Sequence, residues 1–192
     1  KRIGHLYPKV EVTEEMAMER PDLRPLVGRK LTVIAWIWAR TVKSPNPAFG
    51  HVDVPLASSF MLSSKSGKEA YVDPLIEHDH YSFRIKTGQP QNQDRAKNGT
   101  KLSRGASFEC LLSKTPIPSD YIYSEANAGR MGERLMAIVA EGIDGRVYLS
   151  PSEDAEFIAR QAHPIWTPEV AMPDNPRWFS PPLYGLKTYG SL

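Results

Sequence analysis

The residue types able to do chemistry gather at a few places along this chain. The first is a pair of tight turns. Ser44-Pro45-Asn46-Pro47-Ala48-Phe49-Gly50 ends in a glycine, as the knuckles of zinc ribbons do, and Ser44 and Phe49 have the spacing of a C-x4-C pair. Cys110 and Ser113 have that of a C-x2-C pair. Zinc requires four deprotonated sulfur, nitrogen or carboxylate donors, and of these four positions only Cys110 can supply a thiolate. The expectation is a degenerate zinc-ribbon-like substructure in which packing replaces the metal and Phe49 fills the space. Two unrelated turns are the alternative.

His78-Asp79-His80 is the densest cluster of ligand types, with two histidines able to project from one face of a strand. No third histidine or cysteine is near in sequence, so the expectation is a solvated hairpin turn. Cys110 has no histidine placed to activate it and reads as a buried structural thiol. Ser180-Pro181-Pro182-Leu183 has the outline of the motif with which amino-group methyltransferases hold a target amine, but Leu183 cannot stack on a base. It reads as a proline-rich turn.

Charge is more informative. Between Arg84 and Arg104 the basic residues are Arg84, Lys86, Arg95, Lys97, Lys101 and Arg104, against one acid, Asp94. The whole chain carries only +2, so everything outside this stretch is net negative. Gln89, Gln91, Asn92, Gln93, Asn98 and Thr100 lie among the cations, and these are types that contact phosphates and base edges. A nucleic-acid contact is one reading and a solvated surface loop the other. In the first, Arg95, Lys97, Lys101 and Arg104 would meet phosphates, while Gln91, Asn92 or Asn98 would reach bases.

These residues need a scaffold. Leu31 to Val42 is rich in β-branched and aromatic side chains without Gly or Pro, which predicts a central strand with Trp36, Trp38 and Arg40 on one face and Ile37 and Ala39 on the other. Further strands are expected over Val54 to Ser63, Lys68 to Ile76, Tyr81 to Lys86 and Phe108 to Leu112. A hairpin is expected from Leu135 to Ala140 and Arg146 to Leu149. Gly88 to Gly105 is polar throughout and reads as a mobile loop or a segment ordered by a partner. Helices are predicted over Thr13 to Arg20, capped by Thr13, and over Ser119 to Ala128, stopped by Gly129. A third should follow Ser150, with Ser150 and Glu153 as a capping box and Pro151 at the first position.

With 192 residues, 41% of them apolar and 17 of them prolines, the chain is expected to form one α+β domain, mainly antiparallel β with a few short helices. Residues 1–29 read as a connecting segment, 30–163 as the domain, and 164–192 as an extended arm rich in proline and aromatics, including Trp166, Trp178 and Phe179. A single cysteine excludes an internal disulfide and suits a reducing cytoplasm, and no apolar run is long enough for a membrane span. The chain begins at Lys1 without a methionine and is expected to be part of something longer.

Four blocks carry a resemblance: HLYPKV from His5, GRKLTVIAWIWARTVKSPNPAFG ending at Gly50, KNGTKLSRGASFECL from Lys97, and GRMGERLMAIVAEG ending at Gly142. Together they resemble the middle of a family of large prokaryotic proteins classed as adenine-specific DNA methyltransferases, which carry a domain of unknown function (number eleven fifty-six). Some of these are found beside phage-defence genes. The resemblance implies that the S-adenosylmethionine loop lies before this segment and the D-P-P-Y motif after it, so the segment itself would hold no cofactor and methylate nothing. It also implies C-P-x-x-x-C-G and C-P-x-C-G zinc knuckles in relatives, where this chain has Ser44 to Gly50 and Cys110 to Ser113. The function implied is target recognition or domain organisation within a base-flipping enzyme, with DNA and the rest of the methyltransferase as partners. A structural or protein-interaction module, its aromatic arm docked on the catalytic halves or on another protein, is the competing expectation, and a free-standing enzyme is the weakest.

Overall fold

The computed structural model describes residues 8–102 and 107–161. Arg104 and the expected C-terminal arm lie outside them, as do Ser180 to Leu183. The described residues form an α+β fold, mainly antiparallel β with a few short helices.

The long apolar run becomes strand β2 (Lys30–Lys43), which pairs with β1 (Lys9–Glu11), with β3 (Asp53–Pro55) and along most of its length with β9 (Gly132–Gly142). Strand β10 (Gly145–Leu149) closes a hairpin onto β9. A second sheet is the meander of β4 (Met61–Ser63), β5 (Ala70–Glu77) and β6 (His80–Thr87). A small third ladder joins β7 (Phe108–Glu109) to β8 (Pro116–Ile117). Helices are short: α1 (Glu14–Glu19), α2 (Gln93–Asn98), α3 (Ser119–Asn127) and α4 (Glu153–Arg160), with 3-10 turns at Pro21–Leu26 and Pro47–Phe49.

Strands β2 and β9 are covered on both faces, which is why Leu135 to Ala140 reads as an unbroken apolar run rather than an alternation. One face holds Val12, Leu23, Leu26, Leu31, Val33, Ile138 and Leu149, and the other holds Phe60, Val72, Phe83, Ile85, Met136 and Ala137. Two register shifts reconcile this division with the strand period of two. Val33 faces Ala140 while Ala35 faces Val139, so β2 carries an extra residue there, and Ile34 and Ala35 are both exposed. Past this bulge the parity changes. Leu31 and Val33 therefore share a core with Trp36 and Trp38, and Ile37 and Ala39 lie in the opposite one. A second shift, between Ile37 and Trp38, adds a residue to β9 at Met136.

Residues 8–29 contribute to the core. Thr13 caps α1 by accepting from Met16 N, and Val12, Ala17, Leu23 and Leu26 are buried. Arg20, 7% exposed, ties the 3-10 turn to both sheets: its Nη1 donates to Ile85 O at 3.4 Å and Tyr148 O at 3.1 Å. Its Nε and Nη2 bind the carboxylate of Asp22 at 2.7 and 2.6 Å.

Several sequence expectations are corrected. Val54 to Ser63 is two strands in different sheets, because the Ala57 N–H and C=O are taken by Thr100 rather than by a ladder. Phe108 to Leu112 is extended only over Phe108–Glu109, since Cys110 N turns back to Thr115 O. Gly88 to Gly105 contains helix α2, folded by its own chain. The helix after Ser150 starts later: Ser152 is the cap, accepting from Ala155 N, whereas the Ser150 hydroxyl accepts from Ile85 N at 3.0 Å.

Candidate nucleic-acid interface

The cationic stretch divides into two parts. Strand β6 alternates buried Tyr81, Phe83 and Ile85 with outward Ser82, Arg84 and Lys86, so the two basic residues share the outer face. Both are paired there, Arg84 with Glu19 at 3.4 Å and Lys86 with Asp73 at 2.7 Å. The aspartate's hydrogen bond holds the Lys86 ammonium above its ordinary pKa, against the opposing effect of desolvation. These two charges are largely spent on partners in α1 and β5.

The second part is α2. A six-residue helix is far too short to stand alone, so its existence needs a reason. Asn92 supplies the N-cap, its side-chain oxygen accepting from Arg95 N at 2.8 Å. Gly99 ends the helix at φ +61°, and a Cβ there would run into the Ala57 carbonyl. Ala96 is buried, and its carbonyl accepts from Phe60 N at 2.8 Å. Thr100 is also buried: its hydroxyl donates to Pro55 O at 2.8 Å and accepts from Ala57 N at 3.0 Å. The helix is thus riveted to the crossing between β3 and β4. Thr100 stood in the sequence only as one polar residue among many, with no sign of this role.

Two grooves flank this helix. The larger, about 370 Å³, is lined by Asn92, Asp94, Arg95, Asn98, Lys101 and Lys114 among others, with Glu109 at its side. The smaller, about 150 Å³, lies between α2 and the β5–β6 sheet and includes Phe60, Tyr71, Pro74, Pro90, Gln91 and Asn92. Arg95 lines both, and its Nη2 is buried with no hydrogen-bond partner among the described residues. Among the described residues, Arg95, Lys97 and Lys101 form no ion pair. Lys114, absent from the expected set, enters through the turn after Cys110 and pairs with Glu109 at 3.2 Å. Of the expected residues, Gln91, Asn92, Arg95, Asn98 and Lys101 therefore share these grooves, Lys97 is exposed beside them, and Lys86 reaches only the smaller one.

The two turns resembling knuckles do converge. Cys110 Sγ lies 3.5 Å from Ser44 Oγ and accepts from Ser113 N at 3.5 Å, while Phe49 packs against the neighbouring core that contains Val52 and Leu111. Burial raises the Cys110 thiol pKa, but hydrogen bonds from Ser113 and Ser44 outweigh it and leave the thiol below its ordinary value. Two hydroxyls, one phenyl ring and one thiol do not make a zinc donor set, so the residues present do not fit the metal that the resemblance implies. His78 and His80 sit at the β5–β6 turn, exposed, with His80 against Asp79 and Glu77 and His51 against Asp79. Among the described residues no group of three or more His, Cys, Asp or Glu side chains could hold a metal ion, and no helix is long and apolar enough to cross a membrane. Comparison of the chain with protein-family models, with curated proteins and with solved structures gave no match.

Proposed function

We propose that this chain is a non-catalytic, DNA-contacting region of an adenine-specific DNA methyltransferase, gripping nucleic acid through α2 and the turns beside it. The observation that carries this reading is the guanidinium of Arg95, which lines two grooves rich in amides and cations and forms no ion pair among the described residues. A guanidinium that lines a groove without a counter-charge presents N–H groups in a fork that suits phosphate oxygens. Lys97 and Lys101 carry no counter-charge among the described residues and extend the cationic surface along the helix. The methyltransferase setting rests on the sequence resemblance alone, and S-adenosylmethionine would belong to other parts of such a parent protein.

The test is fluorescence anisotropy with a labelled duplex at about 50 and 200 mM salt. Four phosphate contacts predict a loss of affinity of about a hundredfold over that range. The Arg95→Ala, Lys97→Ala, Lys101→Ala, Arg104→Ala variant should lose the salt-sensitive part. Binding that is absent at low salt, or unchanged in the variant, defeats the proposal. The second reading, a protein-interaction module, is favoured by Phe157 and Ile158 on α4, which are 64% and 49% exposed on adjacent positions. Under that reading Phe157→Ser leaves the fold intact and abolishes association with a partner protein, with no effect of salt.

A further inference from the structure

We propose that the stretch of β2 left bare between β1 and β3 is a strand-addition site, and that its occupant is the chain's own residues 1–7, laid antiparallel along it. Both β1, on Lys30 to Thr32, and β3, on Thr41 to Lys43, pair with the edge of β2 opposite β9. On the β1 side the last bond is Val33 N to Pro8 O at 2.9 Å, and on the β3 side the first is Leu56 N to Arg40 O at 2.8 Å. Between them, among the described residues, no strand pairs with Ile34 to Ala39 on that edge. Alternation turns the N–H and C=O of Trp36 and Trp38 the same way as those of Arg40, so the backbone groups of both tryptophans face the gap. An open edge beside Ile34, itself 42% exposed, is a template for an extended chain.

Connectivity selects the occupant. Strand β1 runs antiparallel to β2, so continuing it from Pro8 toward the N-terminus carries the chain along the gap. Pro8 also biases the residue before it, Tyr7, toward extended backbone. Register then follows from the bulge. With Ile34 and Ala35 together opposite Tyr7, Leu6 falls opposite Trp36, Gly4 opposite Trp38 and Ile3 opposite Ala39. The space ends at Arg40, whose carbonyl is taken by Leu56. Face and size agree with this register. Val10 packs on the core that also takes Trp36 and Trp38, and the strand period of two puts Leu6 on the same face. Gly4 sets no side chain against Trp38, whose ring is covered by the Arg160 guanidinium at 5.2 Å. A segment joined at Pro8 adds without a loop to close, whereas a strand from another molecule gives up its translational and rotational freedom.

The test is amide hydrogen exchange and cross-strand NOE measurement on the ¹⁵N-labelled full chain. The N–H groups of Trp36 and Trp38 should exchange about tenfold more slowly than unpaired amides, as a net hydrogen bond implies. An amide–amide NOE should join Leu6 to Trp36. Leu6→Pro removes a donor and breaks the pairing, so it should return Trp36 and Trp38 to the rate of unpaired amides, while Ile37 and Ala39, whose N–H groups turn to β9, stay slow. The NOE in the unaltered chain decides the matter even where Leu6→Pro does not fold. Free exchange at Trp36 and Trp38 in the unaltered chain, or protection that survives Leu6→Pro, overturns the proposal. Protection that fades on dilution assigns the edge to a second copy, and an NOE from any other segment to Trp36 assigns it to that segment. Either result removes residues 1–7 as the occupant.

Discussion

The Asn92 side-chain oxygen accepts a hydrogen bond from Arg95 N at 2.8 Å, so the residue that starts α2 also fixes the backbone from which the groove-lining guanidinium extends. Cap and cation are one local structure. An asparagine that reads in the sequence as free to contact a base has its carbonyl already committed to the helix, leaving its amide N–H groups for a ligand.

Asn92 therefore separates folding from binding. Asn92→Ala removes the cap and should cost about 1 kcal/mol in urea unfolding, with weaker nucleic-acid binding as α2 frays. Asn92→Asp keeps a capping oxygen and should stay close to wild-type stability, yet lower affinity by setting a negative charge beside Arg95. Equal stability loss in both variants would show that the cap is not what holds the helix.

Gly99 fixes the other end. Its φ of +61° and the clash that a Cβ would make with the Ala57 carbonyl combine two penalties at one position. Gly99→Ala should destabilise by about 3 kcal/mol, read as a lower denaturation midpoint at unchanged slope. Gly67, also at positive φ but with open space around it, should tolerate alanine with a smaller loss.

How much of this was legible beforehand follows from the kind of signal each part leaves. The β2 run, the β9–β10 hairpin and the α1 cap are written in local composition and periodicity, and they are observed. The bulge at Ile34 is not. Nothing in the order Val33-Ile34-Ala35 shows that parity changes there; that follows from which β9 residues are opposite. The polar composition of Gly88 to Gly105 concealed α2 because the helix rests on Ala96 and Thr100 bonding to the residue 55–60 crossing and on the close approach of Gly99 to Ala57, and such distant partners leave no local pattern. Ser150 misled for the same reason. Its hydroxyl serves Ile85, far away in sequence, and Ser152 takes the cap that local spacing had assigned to Ser150. Cations were legible as a run, but their pairing was not, since Glu19 and Asp73 reach Arg84 and Lys86 from other elements.

Arg20 and Asp22 predict a pH dependence. Burial raises the Asp22 pKa, but the hydrogen bonds and charge of Arg20 outweigh this and bring it below the ordinary aspartate value of 3.8. A carboxyl depressed in the folded state contributes stability that is present above the unfolded value and lost as pH falls through the folded one. Stability should thus decline below about pH 4. The pair's share is about 1 kcal/mol, because Asp22 keeps much of its solvent exposure. Asp22→Asn should flatten this part of the pH profile. Arg20→Met, which strips the Ile85 and Tyr148 carbonyls of their donor, should cost about 2 kcal/mol at pH 7.

Cys110 tests whether the convergence of the two turns is tightly packed. Its thiol is held below the ordinary cysteine pKa by Ser113 and Ser44 against the effect of burial, which by itself favours reaction with a disulfide reagent. Access decides the opposite way, since the residue is 0% exposed within a cluster of Val42, Val54, Ile117 and Ile122. Labelling under native conditions should therefore wait for opening, and its rate should rise with sub-denaturing urea along the slope of global unfolding. Ser44→Ala removes one hydrogen bond to the sulfur, which should raise the thiol pKa and slow labelling of the unfolded chain not at all. A native labelling rate independent of urea would mean that these turns part locally, with the surrounding sheets still folded.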